Sequence, residues 1–324
     1  MAGVGTATVE RVLNERGGVR PDTVEKVIRA LRDVDYPRRI PEKHQGLIRI
    51  DVILVNPEST FFGRLARAFS RIAATLDPAI SVHRTFMDEN DPESIARKLS
   101  DFSIRRSAVI IAAPEHPSVR CALQALRMRG VPIIQIVSRM NGLDADYIGI
   151  ENAAAGRMAG LLMCGLQKQP GQIMAMCHSG IYDAHRQRVA GFSDFIERQG
   201  DCGFRFDLIS FHYDDADKSR DALHEALDQH RDLVGLYNAG GTNSTLSDIL
   251  RHHPRGKNIC FIGHELTERS SAALRDGTMA AIIDQVPEAQ ARRALDMTLY
   301  RMGLLEHSVD FRPIPFVTVT KENV

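Results

Sequence analysis

The 324-residue sequence lacks any apolar run that could span a membrane. Its longest strongly apolar stretch, Ala108 to Ala113, falls far short of the roughly 18 consecutive residues a spanning helix requires. An unbroken apolar stretch is also missing from the first thirty residues. Glu10, Arg11, Asn14, Glu15 and Arg16 stand where a secretory signal needs its core, so a cytoplasmic location is expected. Cysteine is sparse: Cys121, Cys164, Cys177, Cys202 and Cys260 are odd in number with no close pair, which argues against a disulfide framework or a zinc knuckle and reads as reduced thiols. Neither sign of charge is in excess, since 41 Lys and Arg balance 41 Asp and Glu. Residues 1–46 are mildly basic, with nine basic and seven acidic residues, too small an asymmetry to establish a nucleic-acid partner alone.

Catalytic patterns are missing too. There is no nucleophile elbow, no convincing acid–base carboxylate pair and no cysteine with a fixed histidine partner, so an enzyme is not expected. Gly240-Gly241 lacks the Lys-Ser/Thr of a phosphate-binding loop and reads as a turn into a helix. The neighbours His252-His253 and His264-Glu265 have no third ligand at helical spacing, so neither a metal nor a cofactor is expected.

What is present is globular: 44% hydrophobic and 25% charged residues, in a length that suits about two domains. From Ile48 onward, short Val- and Ile-rich runs alternate with amphipathic stretches, the pattern of parallel sheets covered by helices. IRIDVILV (48–55), ISVHRTF (80–86), SAVIIAA (107–113) and VPIIQIV (131–137) make a first series. DYIGI (146–150) leads into a helix over 152–166 and a second series: QIMAMC (172–177), FRFDLISFH (204–212), DLVGLYN (232–238) and NICFIG (258–263). MAAIID (279–284), a helix over 287–302 and PIPFVTV (313–319) follow and are expected to cross back between lobes.

Open parallel sheets place ligands beyond the carboxyl ends of their strands, and the residues there are polar. They include Asn56 with Phe61 and Phe62 a few residues on, Glu115, Ser138 with Arg139, Asn238, Glu265 and Gln285. Hydroxyl-, amide- and carboxylate-bearing groups beside an aromatic pair suit a small polyhydroxylated ligand.

AGVGTATVERVLN (2–14) and VRPDTVEKVIRALRDVDYPR (19–38) together resemble the DNA-binding end of the LacI (lactose-repressor) family of bacterial transcription regulators. Helical spacing turns Val9 and Val12 inward and leaves Thr6, Ala7 and Arg11 on the opposite face, where Arg11 offers a bidentate fork to guanine. The resemblance implies that Thr6, Ala7 and Arg11 read sequence, that Thr8 and Asn14 bind phosphate or cap, and that the motif's first helix lies upstream of Met1.

From Ile48 the chain resembles the ligand-binding core shared by that family and the periplasmic sugar-binding proteins. The likeness implies that Asn56, Phe61 and Phe62 meet the ligand, that Arg188 of HRQRVAGF (185–192) clamps hydroxyls or a carboxylate, and that Tyr182 forms a wall. Asn238, Glu265 and Gln285 match further ligand positions. Val137, followed by Ser138 and Arg139, replaces a frequent aspartate, so Arg139 and Arg188 would suit an acidic or phosphorylated effector.

The expected architecture is α/β: a two-lobed, periplasmic-binding-protein-like (type I) pair of doubly wound parallel sheets, preceded by a partial all-α helix-turn-helix head. The boundaries expected are head 1–38, linker 39–47 and effector-binding domain 48–324, with a first lobe of 48–138 plus 285–312 and a second of 139–284 plus 313–324. The expected function is a sequence-specific regulator whose operator affinity is controlled by a sugar, polyol, sugar acid or sugar phosphate held between the lobes. Operator DNA and a second copy in a homodimer are the expected partners, and no membrane. The alternative is a stand-alone solute-binding protein.

Overall fold

A computed structural model describes residues 3–13, 19–33, 48–200 and 203–324. The expected linker at 39–47, Asn14 and Cys202 lie outside these residues.

The N-terminal unit contains helices α1 (Thr6–Leu13) and α2 (Pro21–Asp33). Val24, Val27, Ile28 and Leu31 recur at the spacing that keeps one helix face apolar, and with Val12 they form a small core onto which Val4, Val9 and Val19 pack. Thr6, Ala7 and Arg11 are exposed on α1, whereas Thr8 is half-buried.

The larger unit begins with β1 (Ile48–Val55), α3 (Thr60–Ala73), β2 (Ile80–Met87), α4 (Pro92–Ser100), β3 (Ala108–Ile111), α5 (Pro117–Met128), β4 (Ile133–Ile136) and β5 (Asp146–Ile148). Their strands form one sheet in the order β2-β1-β3-β4-β5. The chain continues through α6 (Asn152–Leu166), β6 (Gly171–Cys177), α7 (Asp183–Arg198), β7 (Phe204–Phe211), α8 (Ala216–Gln229), β8 (Leu233–Asn238), α9 (Asn243–His252), β9 (Cys260–His264), α10 (Glu268–Arg275), β10 (Ala281–Asp284), α11 (Pro287–Arg301) and β11 (Val317–Val319). The second sheet runs β11-β10-β9-β8-β6-β7.

The central strands β3, β4, β6, β8, β9 and β10 are buried along their whole length, which is why they read as continuous apolar runs. Edge strand β7 alternates half-buried and exposed residues instead. Helix starts are written locally. Asp91 accepts from the Ser94 amide at 2.9 Å ahead of Pro92, Asp215 accepts from the Asp217 and Lys218 amides at 2.9 Å, and Thr267 and Ser270 form a reciprocal capping box.

Two expectations require correction. The first lobe does not end at Ser138: β5 pairs in parallel with β4, Ile134 opposite Asp146, so the chain leaves the first sheet only after residue 148. The Asp146 carboxylate also holds Arg301 of α11 at 2.6 Å, and α11 packs on α3, β3, β4 and β5. PIPFVTV contributes only Val317–Val319, antiparallel to β10. The chain therefore passes between the sheets after β5, after β10 and before β11, and Ile314 donates its N–H to the Gly149 carbonyl at 2.8 Å where two crossings meet.

Each sheet reverses its strand order at its own first strand, β1 lying between β2 and β3, and β6 between β7 and β8. Such switch points open a crevice beyond the strand ends. The seven non-glycine residues with positive φ among those described, Asn56, Val137, Tyr213, Asp214, Thr242, Glu265 and Val286, all sit within four residues of a strand's carboxyl end. Backbone strain is thus concentrated where a ligand would sit.

Candidate ligand cleft between the two lobes

A cavity of about 560 Å³, including its open mouth, lies among the strand-end residues of both lobes. Asn56, Phe61, Phe62 and Ser138 line it from the first lobe, and Tyr182, Arg188, Glu265 and Gln285 from the second and the crossing after β10. Phe61 and Phe62 meet edge to face with ring centres 5.3 Å apart, so adjacent aromatics at the start of α3 both reach the wall.

Three residues expected in the site are not among those lining it. Glu115 is taken up at the join between the lobes, 2.9 Å from Arg186, with its amide donating to the Ile181 carbonyl at 3.3 Å. Arg139 turns aside and lays its guanidinium over the Tyr147 ring, 4.9 Å from the centroid, because that face offers a partner the strand end does not. Asn238 is fully buried and shapes the following turn, donating to Asn243 Oδ1 at 2.8 Å and accepting from the Gly240 N–H at 3.2 Å.

The cavity also contains residues the sequence reading did not select: Ser59, Glu89, His178, His185 and Asp214. Glu89 of the first lobe accepts from Tyr182 Oη at 2.5 Å and lies 3.3 Å from His178 Nε2. Burial opposes its ionisation, but hydrogen bonds from His178, Tyr182 and Asn56 win and hold its carboxyl below the usual range. His178 moves the opposite way: burial lowers its pKa, and Glu89 with Asp214 more than reverses that. Asp214 accepts the Gly241 N–H at 2.8 Å, so Gly240 and Gly241 form cavity wall as well as a turn.

Arg188 is placed by an unusually close helix pair. A Cβ at Gly156 of α6 would strike the Arg188 carbonyl, and one at Gly191 of α7 would strike the Ala153 carbonyl. The guanidinium, in a residue 2% exposed, donates from Nε to Asn152 Oδ1 and from Nη1 to the Ala239 carbonyl, each at 2.9 Å. Glu265 bonds Gln285 Nε2 through Oε1, while its Oε2 and Gln285 Oε1 are buried with no hydrogen-bond partner among the described residues. Burial, reinforced by the Asp284 carboxylate, pushes the Glu265 carboxyl up to about 8 against the pull of Arg188. His185, with Nδ1 likewise unpartnered, is pushed well below its ordinary value by burial and by Arg188, so it is neutral.

Across the mouth, Arg64 of α3 reaches Asp284 at 2.7 Å and the Leu266 carbonyl at 2.8 Å, both in the second lobe, and Glu288 of α11 at 2.9 Å. Hydroxyl-accepting carboxylates and amides, a buried guanidinium and two aromatic walls make a site for binding a small polar molecule. No helix among the described residues is long and apolar enough to cross a membrane.

Two sheets joined by three crossings around a polar cleft define a two-lobed ligand-binding protein. Residues 50–302 match the periplasmic binding protein domain family, and residues 1–38 match the lacI family of bacterial regulatory proteins. The chain belongs to the periplasmic binding protein family, in combination with a lacI-type regulatory N-terminus. Among its relatives is the ribose operon repressor of Halalkalibacterium halodurans, 24% identical over 73% of this chain and 68% of that protein. Another is the ribose import binding protein of Haemophilus influenzae, 21% identical over 62% of this chain and 68% of that one. A solute-binding protein of Burkholderia graminis in complex with D-arabinose shares the fold, with a TM-score of 0.78 at 16% identity over 86% of this chain and 96% of that chain.

Proposed function

We propose that this protein is a DNA-binding transcriptional regulator whose operator affinity is set by a small sugar-like effector held between its lobes. The observation that carries the reading is the convergence of Asn56, Glu89, Asp214 and Gln285, from strand ends of both lobes, and of Arg188 from α7 on one cavity in a chain whose first 38 residues are of lacI type. In the head, exposed Thr6, Ala7 and Arg11 share one side of α1 and supply the base-reading groups; the roles of Thr8 and of Asn14, which lies outside the described residues, are phosphate binding or capping. In the core, the ligand contacts are Asn56, Phe61, Phe62, Ser138, Tyr182, Arg188, Glu265 and Gln285, joined by Glu89, His178, His185 and Asp214.

The effector acts by binding one lobe arrangement better than another, and a homodimer carries that difference to two heads on a pseudo-palindromic operator. The regulator works in the cytoplasm and turns nothing over. The test is selection of DNA from a random library with the full chain, followed by titration of the selected duplex complex with D-ribose, D-arabinose, D-galactose, their polyols and their acids. Enrichment of a two-fold related sequence, and a shift of its affinity by one of these compounds, is expected. Ligand binding without any sequence enrichment would instead favour a stand-alone solute-binding protein.

A further inference from the structure

Among the described residues lining the cleft, Arg188 is the one cation with no ion-pair partner, Glu265 and Asp214 reaching it only from beyond that distance. Glu89 has His178 at 3.3 Å, and His178 also feels Asp214. At the mouth, Arg64 has Asp284 and Glu288, and Arg186 has Glu115 and Asp183. Arg188 stands apart. It is 2% exposed, its acceptors Asn152 Oδ1 and the Ala239 carbonyl are both neutral, and no carboxylate of the described residues comes within ion-pair distance. Its Nη2 takes no acceptor from those residues, yet the side chain lines the cavity. A buried guanidinium left without a counter-charge is costly, and an arriving anion removes that cost.

Resting on the effector reading above, we propose that the effector is a hydroxylated monocarboxylic acid of the sugar-acid class, its carboxylate paired with Arg188. The charge count selects one negative charge rather than two. With Arg139 over Tyr147 and His178 already paired with Glu89, Arg188 is the one cation among the described residues of the cavity left for a ligand, so the second charge of a phosphate dianion would find no partner in a lining that also holds the Asp214 carboxylate. Glu265 supports the assignment: holding its proton at neutral pH, it does not serve as the missing counter-ion, and its unpartnered Oε2 carries a hydrogen to donate to an incoming oxygen. Gln285 Oε1, His185 Nδ1 and Asp214 remain for hydroxyl groups, and Phe61 and Phe62 for the carbon skeleton.

The experiment uses matched compounds on the full chain: D-ribose with D-ribonate, D-glucose with D-gluconate and D-glucose 6-phosphate, and D-galactose with D-galactonate and D-galacturonate. Thermal shift finds binders and calorimetry ranks them. At least one monocarboxylate should bind at least roughly 10- to 100-fold more tightly than its neutral parent, the range of a charge-assisted bidentate contact. Arg188→Gln should bring the acid down to its parent's level, and Arg188→Lys, which keeps the charge but not the fork, should retain part of the preference. Should Arg188→Gln fail to fold, the ligand pairs and the lysine variant decide the matter. A neutral sugar binding as tightly as its acid overturns this proposal and leaves the effector reading intact. Tightest binding by the phosphate ester overturns it in favour of a dianion. Silence across the whole set removes the effector reading itself, and this inference with it.

Discussion

Tyr182, immediately before α7 in the second lobe, donates its phenolic hydrogen across 2.5 Å to Glu89, two residues beyond β2 in the first. Its ring is buried among first-lobe residues of the core, including Ile95, Val119 and Leu123. Burial and the Glu89 charge both keep the phenol protonated, so it remains a donor at any physiological pH. One side chain thus fastens the lobes twice, by apolar packing and by a hydrogen bond to an ionised group.

Tyr182→Phe keeps the packing and deletes only the bond. Hydrogen bonds to charged groups contribute about 1.5–3 kcal/mol, so effector affinity should fall roughly 10- to 100-fold. Small-angle scattering should show a more open core in the variant without ligand. Unchanged affinity and unchanged dimensions would mean that Glu89 and His178 hold the closure without help.

Arg106 and Asp51 form a buried pair at 2.7 Å, their side chains 1% and 4% exposed. Arg106 also donates to the Asp101 carbonyl at 2.8 Å and the Lys98 carbonyl at 2.6 Å, satisfying the last turn of α4. Arg106→Ala should cost about 3–5 kcal/mol in urea unfolding, because a buried carboxylate loses its cation and carbonyls lose their donor. Adding Asp51→Asn should recover part of that loss. An equal loss in the single and double variants would assign the effect to the α4 carbonyls alone.

Gly191→Ala and Gly165→Ala separate close approach from helix propensity. A Cβ at Gly191 would overlap the Ala153 carbonyl, whereas one at Gly165 of α6 meets nothing within 4 Å. The first should destabilise by about 1–3 kcal/mol and weaken effector binding, since α7 must move and Arg188 lies one turn away. The second should stabilise by about 0.5–1 kcal/mol with no change in binding. Thermal melts and calorimetry on both variants check the pair; similar behaviour of the two would show that α6 and α7 have room to adjust.

The alternation of strand and helix was legible because buried parallel strands such as β3 and β8 need apolar residues on both faces, and no other element demands that in four to six residues. The principle that strand ends make the site was legible too, and it reaches further than the residues first chosen by it. Glu89, His178 and Asp214 follow β2, β6 and β7 within three residues, much as Asn56, Glu265 and Gln285 directly follow β1, β9 and β10. What the sequence did not disclose is direction. Val137 adopts a left-handed φ of 69°, and beyond it Ser138 meets the Ala184 amide while Arg139 swings onto Tyr147. Asn238 likewise turns into its own loop. The lobe of the short strand β5 is not legible in sequence, because three residues carry no sign of which sheet they will join; the register with β4 decides it.

Glu265 yields the sharpest pH dependence. Its carboxyl is pushed up to about 8 from an ordinary 4.5, by burial first and Asp284 second. Between those two values the unfolded chain has released this proton and the folded protein still holds it. The unfolded state therefore binds fewer protons, and this group's contribution to stability falls as pH rises from about 4.5 to about 8, then levels off. Glu265→Gln removes the ionisation and keeps an acceptor for Gln285. Relative to the native protein, the variant should be nearly equal in stability near pH 4.5 and more stable by on the order of 3–5 kcal/mol near pH 8, read from urea unfolding at both values. If the two proteins instead run parallel across that window, Glu265 is ionised in the folded state at neutral pH. It would then supply the negative charge facing Arg188, and a carboxylate effector would have nothing left to neutralise.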